Sequence, residues 1–504
     1  MVSTKWQLWF IIAGVGSVMA LFIGLAAAQS RAGFPLDDAW IHQTYARNLV
    51  QSGRWEFVPG VVSAGSTAPL WTLLLAVGYM LQLPHLYWAY FLGGLSLLWL
   101  AWAGMQLWQR LWPDYADSAW IVGLVLSLLW PLVWAAASGM ETLLFAAIGL
   151  QVVAWSLRTQ LSLIQIAVIG IFCGLLILTR PDGSVLLLLV LARLTIGRWQ
   201  KASFHYSFVR GVVFLLMVVL PLLPYFLFNW QASGTIWPNT FYAKQAEYEA
   251  LLTQPVLLRG LRLLFYSLGG PQGSPHILLL PGLAITAWLA VRTDWTGKQL
   301  YYLLPLLWAL GHVALYAWRL PVTYQHGRYL MATIPVWTVY GLAGWRILGQ
   351  KPINHALFKL VKRAAALSFA LLLIIFLLLG AINGYASDVA FIEGEMVTVA
   401  WWLRDNTSPE ALIASHDIGA IGYFAERPLL DLAGLISPEV IDFLADDRLV
   451  SQYVLDSNAD YLITAPGWPY DDVAVADGVS LEYSTDYEWT QEQGMNNMTV
   501  YKLP

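Results

Sequence analysis

Two adjacent carboxylates, Asp37 and Asp38, open a helical pattern in which His42 lies one turn beyond Asp38. Such a pair suits a general base that takes a proton from an acceptor hydroxyl, and repulsion between the two would raise one pKa toward that task. The same residues serve equally well as an N-cap and a charge complementing the helix dipole. Farther along, Glu141 and Asp182 sit beside apolar runs with Arg180 close by. Ionisable groups in that setting are costly unless paired or facing a cavity. A structural ion pair and contact with an anionic substrate group both fit. The stretch from Trp237 through Pro238, Asn239, Tyr242 and Lys244 reads as an aromatic belt with a snorkelling lysine, or as a loop that holds a phosphate through Lys244. Arg328 is a natural bidentate phosphate anchor, and His326 could protonate or hydrogen-bond a leaving phosphate. Interface snorkelling accounts for Arg328 well and for His326 less well.

These residues belong to a chain that must treat lipid as its solvent. Of 504 residues, 58% are hydrophobic and 12% charged, with mean hydropathy +0.60, where a soluble domain carries about 25% charged residues. Apolar runs fall at about 6–28, 86–108, 119–137, 140–157, 163–179, 183–197, 211–230, 276–292, 299–318, 329–348 and 364–384. Each approaches the ~20 residues that a bilayer core demands, and only helices satisfy their own backbone there. The first run follows Lys5 and is read as a retained helix rather than a cleaved signal. A twelfth run, 69–83, is short. If it does not cross, the connections 193–210, 292–298 and 346–363 fall inside, with eleven bases against the single acid Asp294. That is the positive-inside pattern. All the polar clusters above then share the opposite face. The single cysteine, Cys173, excludes an intramolecular disulfide and a cysteine metal cage. No Gly-rich nucleotide loop, Ser-His-Asp order or metal-ligand cluster stands out. Outside the cell nucleotides are scarce, so a lipid-linked donor is the simpler supply for a sugar transfer there.

The order of these pieces resembles the polytopic C-type glycosyltransferase superfamily, and more narrowly its terminal arabinofuranosyltransferase-like branch. The resemblance rests on Asp37-Asp38-Ala39-Trp40-Ile41 with Tyr45 to Leu49, then Ser66 to Trp71, Ser138-Gly139-Met140-Glu141-Thr142 and Arg180-Pro181-Asp182-Gly183. Pro238 to Lys244, Gly327-Arg328-Tyr329-Leu330, Asp417 to Tyr423 and Asp431 to Leu435 complete it. It implies a polyprenyl-phosphate sugar as donor and an acidic residue of the first outer loop as base, with Asp37 the first candidate and Asp38 the second. It also implies juxtamembrane helices in that loop and, for most members, inversion at the anomeric carbon. Trp40 and His42 depart from the family pattern, which bears on the identity of the sugar.

Of the 31 acidic residues, 21 lie after Tyr385. Strand-length runs follow at Ala411–Ser415, Pro428–Leu432, Asp460–Thr464, Val479–Tyr483 and Met498–Leu503, alternating with helical patterns at 393–405 and 437–446. The expected fold is therefore an α-helical polytopic membrane protein. It has about eleven transmembrane helices plus juxtamembrane helices over 1–385, and a C-terminal extracytoplasmic α/β domain over 386–504. The N-terminus is expected in the cytoplasm and the chain in the plasma membrane. The expected activity is an inverting transfer of sugar from polyprenyl phosphate to an extracytoplasmic glycan, lipid or protein. The catalytic set is Asp37, Asp38 and His326, and the donor- and substrate-binding set is Arg328, Lys244, Arg180, Glu141, Asn239 and Tyr242. No cofactor is assigned and a divalent cation is left open. Membrane lipids are partners and nucleic acid is not. The alternative, a lipid-linked saccharide transporter or flippase, would place charges mid-span on several helices and show internal repeats. Here the charges crowd at one face.

Overall fold

The computed structural model describes residues 4–195, 204–270, 273–292, 297–349 and 356–504. Arg198, Lys201, Asp294 and Lys351, four of the charges behind the expected sidedness, lie outside them. Each of the eleven apolar runs is helical. Among the described residues, five helices are long and apolar enough to cross a membrane, namely Trp6–Gln29, His85–Leu111, His205–Ser233, Pro275–Arg292 and Lys359–Asn406. A pair, Pro113–Leu128 and Trp130–Ala137, is long and apolar enough only when taken together and is bent by 60°, the geometry of a broken span or a re-entrant loop. The bend has a local cause. Pro131 cannot donate to the preceding turn and crowds it, so the chain opens to extended backbone at Leu129 (φ −70°, ψ 112°). The protein is thus a multi-pass helical membrane protein. The short twelfth run forms the helix Pro69–Met80, begun by a proline in its first turn. Its 12 residues reach only about 18 Å, well short of the ~30 Å hydrocarbon layer.

The pattern after Asp37 becomes the helix Asp38–Ser52, closed by Gly53 in the left-handed conformation (φ 70°) with its N–H on the Leu49 carbonyl. The spacing of Trp40, Ile41, Tyr45 and Leu49 suggests an amphipathic face on this helix lying open at the membrane interface, and that is not what forms. Nine of its residues, from Ala39 to Ala46 and Asn48, are buried, because the C-terminal segment roofs it. Arg47 Nη1 donates to the Tyr423 carbonyl (2.7 Å), and the guanidinium lies over the Tyr423 ring (4.6 Å). Trp40 packs against Tyr423 and Phe424, with ring centroids 4.9 and 4.6 Å away.

The tail forms a five-stranded sheet. Its strands are β1 (Ile413–Ser415), β2 (Leu429–Asp431), β3 (Tyr461–Thr464), β4 (Ser480–Ser484) and β5 (Thr499–Lys502), in the order β2-β1-β3-β5-β4. The first three are parallel, while β5 runs antiparallel to β3 and β4. All five lie within or beside the strand runs read from sequence. The helix expected at 437–446 is reduced to a tight turn, Pro438–Asp442, and a helix forms instead at Asp447–Asp456. Asp446 sets that start by accepting from the N–H groups of Arg448 (3.0 Å) and Leu449 (3.4 Å).

One helical run, Ala356 to Asn406, carries the chain from the membrane bundle into the tail, with π-helical segments at Gly380–Ala386 and Ile392–Val397. Residue 385 lies inside it, so no loop separates bundle from tail. Glu395, fully buried on the second π segment, accepts from the side chains of Thr485, Thr490 (2.5 Å) and Asn497 (2.8 Å) and from the Met498 N–H (2.8 Å). This carboxylate ties the helix to the connection between β4 and β5. Glu395→Ala would strand four donors in the interior. It should cost about 2–4 kcal/mol, read as a lower thermal midpoint of the detergent-solubilised chain and earlier proteolysis after Val397.

Candidate active site

The turn Ser138-Gly139-Met140-Glu141 shows how local sequence builds the site. Gly139 adopts φ +74°, and a Cβ there would lie 2.6 Å from the Phe34 ring. Its carbonyl accepts from Trp71 Nε1 (2.7 Å). The turn thereby aims Glu141 inward, where it meets Arg180 Nη1 at 2.9 Å. Arg180 Nε donates to Asp182 Oδ1 (3.2 Å), and its Nη2 donates to the Tyr316 hydroxyl (2.7 Å). That hydroxyl donates to Asp182 Oδ2 (3.0 Å). His42 Nε2 stands 3.4 Å from the other Glu141 oxygen, and His42 Nδ1 is 3.4 Å from the Thr72 hydroxyl.

These groups form one wall of a cavity of about 230 Å³. Asp38, Arg328, Lys244 and Arg319 line the same cavity. Arg328 Nη2 pairs with Asp38 Oδ2. Only 4% of Arg328 is exposed, yet among the described residues its Nε and Nη1 have no hydrogen-bond partner. Lys244 Nζ pairs with Glu247 (3.1 Å). Arg319 Nη2 donates to Gln245 Oε1 (2.6 Å), and its guanidinium lies 4.0 Å over Phe241. Burial opposes ionisation of Asp38, but Arg328 and Lys244 outweigh it and hold the carboxyl far below its ordinary range. Burial likewise works against the Lys244 charge, and Glu247 and Asp38 more than offset it, so its pKa is raised.

All five polar clusters read from the sequence therefore send residues to one cavity or its immediate surroundings. Individual members differ. Asp37 is turned away from the cavity, and its carboxylate accepts the N–H groups of Gly419 (2.6 Å) and Ala420 (2.7 Å) from the tail. Burial, Asp417 and Asp38 raise its pKa against those two amides. Of the two aspartates, Asp38 lines the cavity and Asp37 does not. His326 is also off the cavity wall. Its Nε2 contacts Asp388 Oδ2 (2.7 Å), which accepts from Trp134 Nε1 (2.8 Å), and its ring meets Trp130 and Trp134 edge-on. Gln325, His326 and Gly327 form a run of left-handed residues (φ 51°, 57° and 65°) directly before Arg328, so His326 holds the turn that delivers Arg328. Arg180 lines the cavity, but two carboxylates already answer its charge. Asn239 and Tyr242 lie on the helix Asn239–Glu247, off the wall that their neighbours Thr240, Phe241, Lys244 and Gln245 supply.

Sequence reading missed Arg319 as a site residue. Its only signal was a basic residue ending an apolar run, which interface snorkelling explains equally well. The two departures from the family pattern now have places. Trp40 packs on the tail, and His42 joins Thr72 to Glu141. Among the described residues, no group of three or more His, Cys, Asp or Glu side chains could hold a metal ion.

A polytopic helical bundle joined to a small α/β domain defines the architecture, and known structures are similar to it in fold. ArnT from Cupriavidus metallidurans in the apo state superposes with a TM-score of 0.60 at 16% identity, covering 100% of this chain and 98% of that one. The same protein bound to undecaprenyl phosphate gives 0.58 at 16% identity, covering 99% and 98%. The oligosaccharyltransferase of Archaeoglobus fulgidus in the apo form gives 0.60 at 12% identity, covering 92% and 70%. At these identities the likeness is one of fold. It selects neither the superfamily nor the arabinofuranosyltransferase-like branch expected from the sequence. A family described as a domain of unknown function (DUF8728) matches residues 387–501. No curated protein matches the chain in sequence.

Gly139→Ala should combine a disfavoured backbone with a collision at Phe34. It should destabilise the protein by about 2–4 kcal/mol, measured as a fall in thermal midpoint, while a change at exposed Gly53 that keeps its left-handed turn, Gly53→Asn, should cost well under half as much.

Proposed function

We propose that this protein is an inverting membrane glycosyltransferase that moves a sugar from a polyprenyl-phosphate donor to an acceptor hydroxyl, with Asp38 as the base. The observation that carries this reading is the guanidinium of Arg328, buried at the cavity wall, paired through one nitrogen with the Asp38 carboxylate and with its Nε and Nη1 unanswered among the described residues. Three carboxylates (Asp38, Glu141 and Asp182) and four cations (Arg180, Lys244, Arg319 and Arg328) lie on the cavity wall. Glu247, the partner of Lys244, brings the carboxylates to four, so an incoming phosphate binds by loosening existing pairs and by meeting the two unanswered nitrogens of Arg328. Fold neighbours support a lipid phosphate as ligand. ArnT has been solved with undecaprenyl phosphate, and the archaeal oligosaccharyltransferase AglB with a dolichol-phosphate and an inhibitory peptide.

In the proposed reaction the donor phosphate takes Arg328 and Arg319, and Arg328 loosens its hold on Asp38. That raises the basicity of Asp38 at the moment a base is needed. The acceptor hydroxyl gives its proton to Asp38, and its oxygen bonds to the anomeric carbon. The bond from that carbon to the phosphate oxygen breaks, and the electron pair leaves with polyprenyl phosphate. Guanidinium donors aimed at the leaving phosphate stabilise the charge that develops there. The bundle crosses the bilayer eleven times in this reading, with the N-terminus in the cytoplasm and the cavity and tail outside. Eleven helical apolar runs and the basic connections support it.

Asp38→Asn should lower sugar transfer in membranes about 10²–10⁴-fold, and turnover at the wild-type rate would take the base role from Asp38. Arg319→Gln should raise the donor KM about tenfold. Polyprenyl phosphate should compete with the donor in the wild type and about tenfold more weakly in Arg319→Gln; equal competition in both would contradict a phosphate subsite at Arg319.

A further inference from the structure

The doublet Asp37-Asp38 is held from two directions. Asp38 faces Arg328 in the cavity, while the Asp37 carboxylate receives two short bonds from consecutive backbone amides, Gly419 (2.6 Å) and Ala420 (2.7 Å). The tail backbone lies directly on this residue, and a Cβ at Gly419 would come within 2.0 Å of the Asp37 carbonyl oxygen. Around the contact, Ile418, Ala433 and Leu435 of the tail pack with Ile41, Tyr45 and Phe57 in one buried cluster. The Tyr423 hydroxyl lies 2.9 Å from that of Tyr79, which donates to Gln43 (2.8 Å) on the same helix. Leu435 reaches the cavity wall itself.

We propose that Asp37 is a positioning residue through which the C-terminal domain holds Asp38 at the cavity, so that the domain of unknown function is a working part of the site. The proposal rests on the reading of Asp38 as base. A carboxylate bonded to two amides fixes the peptide that carries the next residue. Loss of those bonds frees the first turn of the helix Asp38–Ser52 and disperses Asp38 over orientations that miss the acceptor. Geometric loss of this kind lowers the rate of the chemical step more than donor affinity, because Arg319, Lys244 and Arg328 stay on elements of the bundle.

The test uses the full-length protein in lipid nanodiscs, with hydrogen–deuterium exchange over 38–52 and 418–425 and the kinetics of sugar transfer. Asp37→Asn replaces one acceptor oxygen by a donor that opposes an amide, and Gly419→Ala forces the tail back from an intact Asp37. Both variants should speed exchange in the two segments together by about tenfold or more. Both should lower kcat by at least the same factor, with the donor KM changed less than about twofold. Asp38→Asn should abolish transfer with exchange unchanged. Wild-type exchange and kcat in Asp37→Asn would overturn the proposal. So would loss of transfer in Asp37→Asn with wild-type exchange, since Asp37 would then act on substrate itself. Full transfer by Asp38→Asn would remove the base reading alone, and the exchange results would still decide whether Asp37 clamps the tail.

Discussion

A guanidinium shut inside an apolar bundle needs answers for its charge and for five N–H donors. Arg328 receives a carboxylate on one nitrogen and the Tyr329 hydroxyl beside it, and two nitrogens remain unanswered. Most of the neighbouring architecture follows from putting it there. Two non-glycine residues accept left-handed backbone to turn the chain into position, a conformation that costs roughly 1–2 kcal/mol each. The contact between His326 and Asp388 fastens that turn to the long helix leading to the tail. A site that merely needed stability would have filled those donors, because an unmet buried donor costs about 1–3 kcal/mol.

Arg180 makes the comparison within the same cavity. It has the same side chain, a similar depth and no spare charge. Glu141, Asp182 and Tyr316 take its donors, and Tyr329 covers its face at 4.8 Å. Breaking a buried pair of this kind costs about 3–5 kcal/mol, so an incoming anion gains little by competing for it. Arg180 is framework for the wall, holding the ends of three helices in register. In the proposed reaction the donor phosphate therefore falls to Arg328 and Arg319, of which Arg328 keeps two nitrogens unanswered among the described residues.

The apolar runs, the short helix at 69–80 and all five strands were legible because periodicity and length report directly on burial. The gathering of the polar clusters was legible too, because buried charge in a lipid-facing chain has few places to go. What could not be read was which member of each cluster faces the cavity. His326 and Arg328 are two residues apart, yet the left-handed turn between them sends one to Asp388 and the other to Asp38, and only Gly327 hints at such a turn. Arg319 looked like an anchor at a helix end. The pattern at 437–446 had helical spacing, but Pro438 and the capping strength of Asp446 moved the helix ten residues on. The interfacial appearance of the helix after Asp37 was misleading because its polar residues find partners in the first loop and the bundle, and Arg47 finds one in the tail 376 residues away.

The aspartate doublet shows why sequence reading stalls at this scale. Successive side chains on a helix point about 100° apart, so adjacent carboxylates at a helix start cannot share one target. One must turn to the cavity and the other elsewhere, and the sequence is nearly symmetric between the two outcomes. The asymmetry comes from the tail, where Gly419 alone lets the backbone come close enough for two amides to capture Asp37. Once that capture is made, the helical twist leaves Asp38 no direction but toward Arg328. A glycine near the far end of the chain thereby decides which of two identical residues near the beginning meets the charge in the cavity.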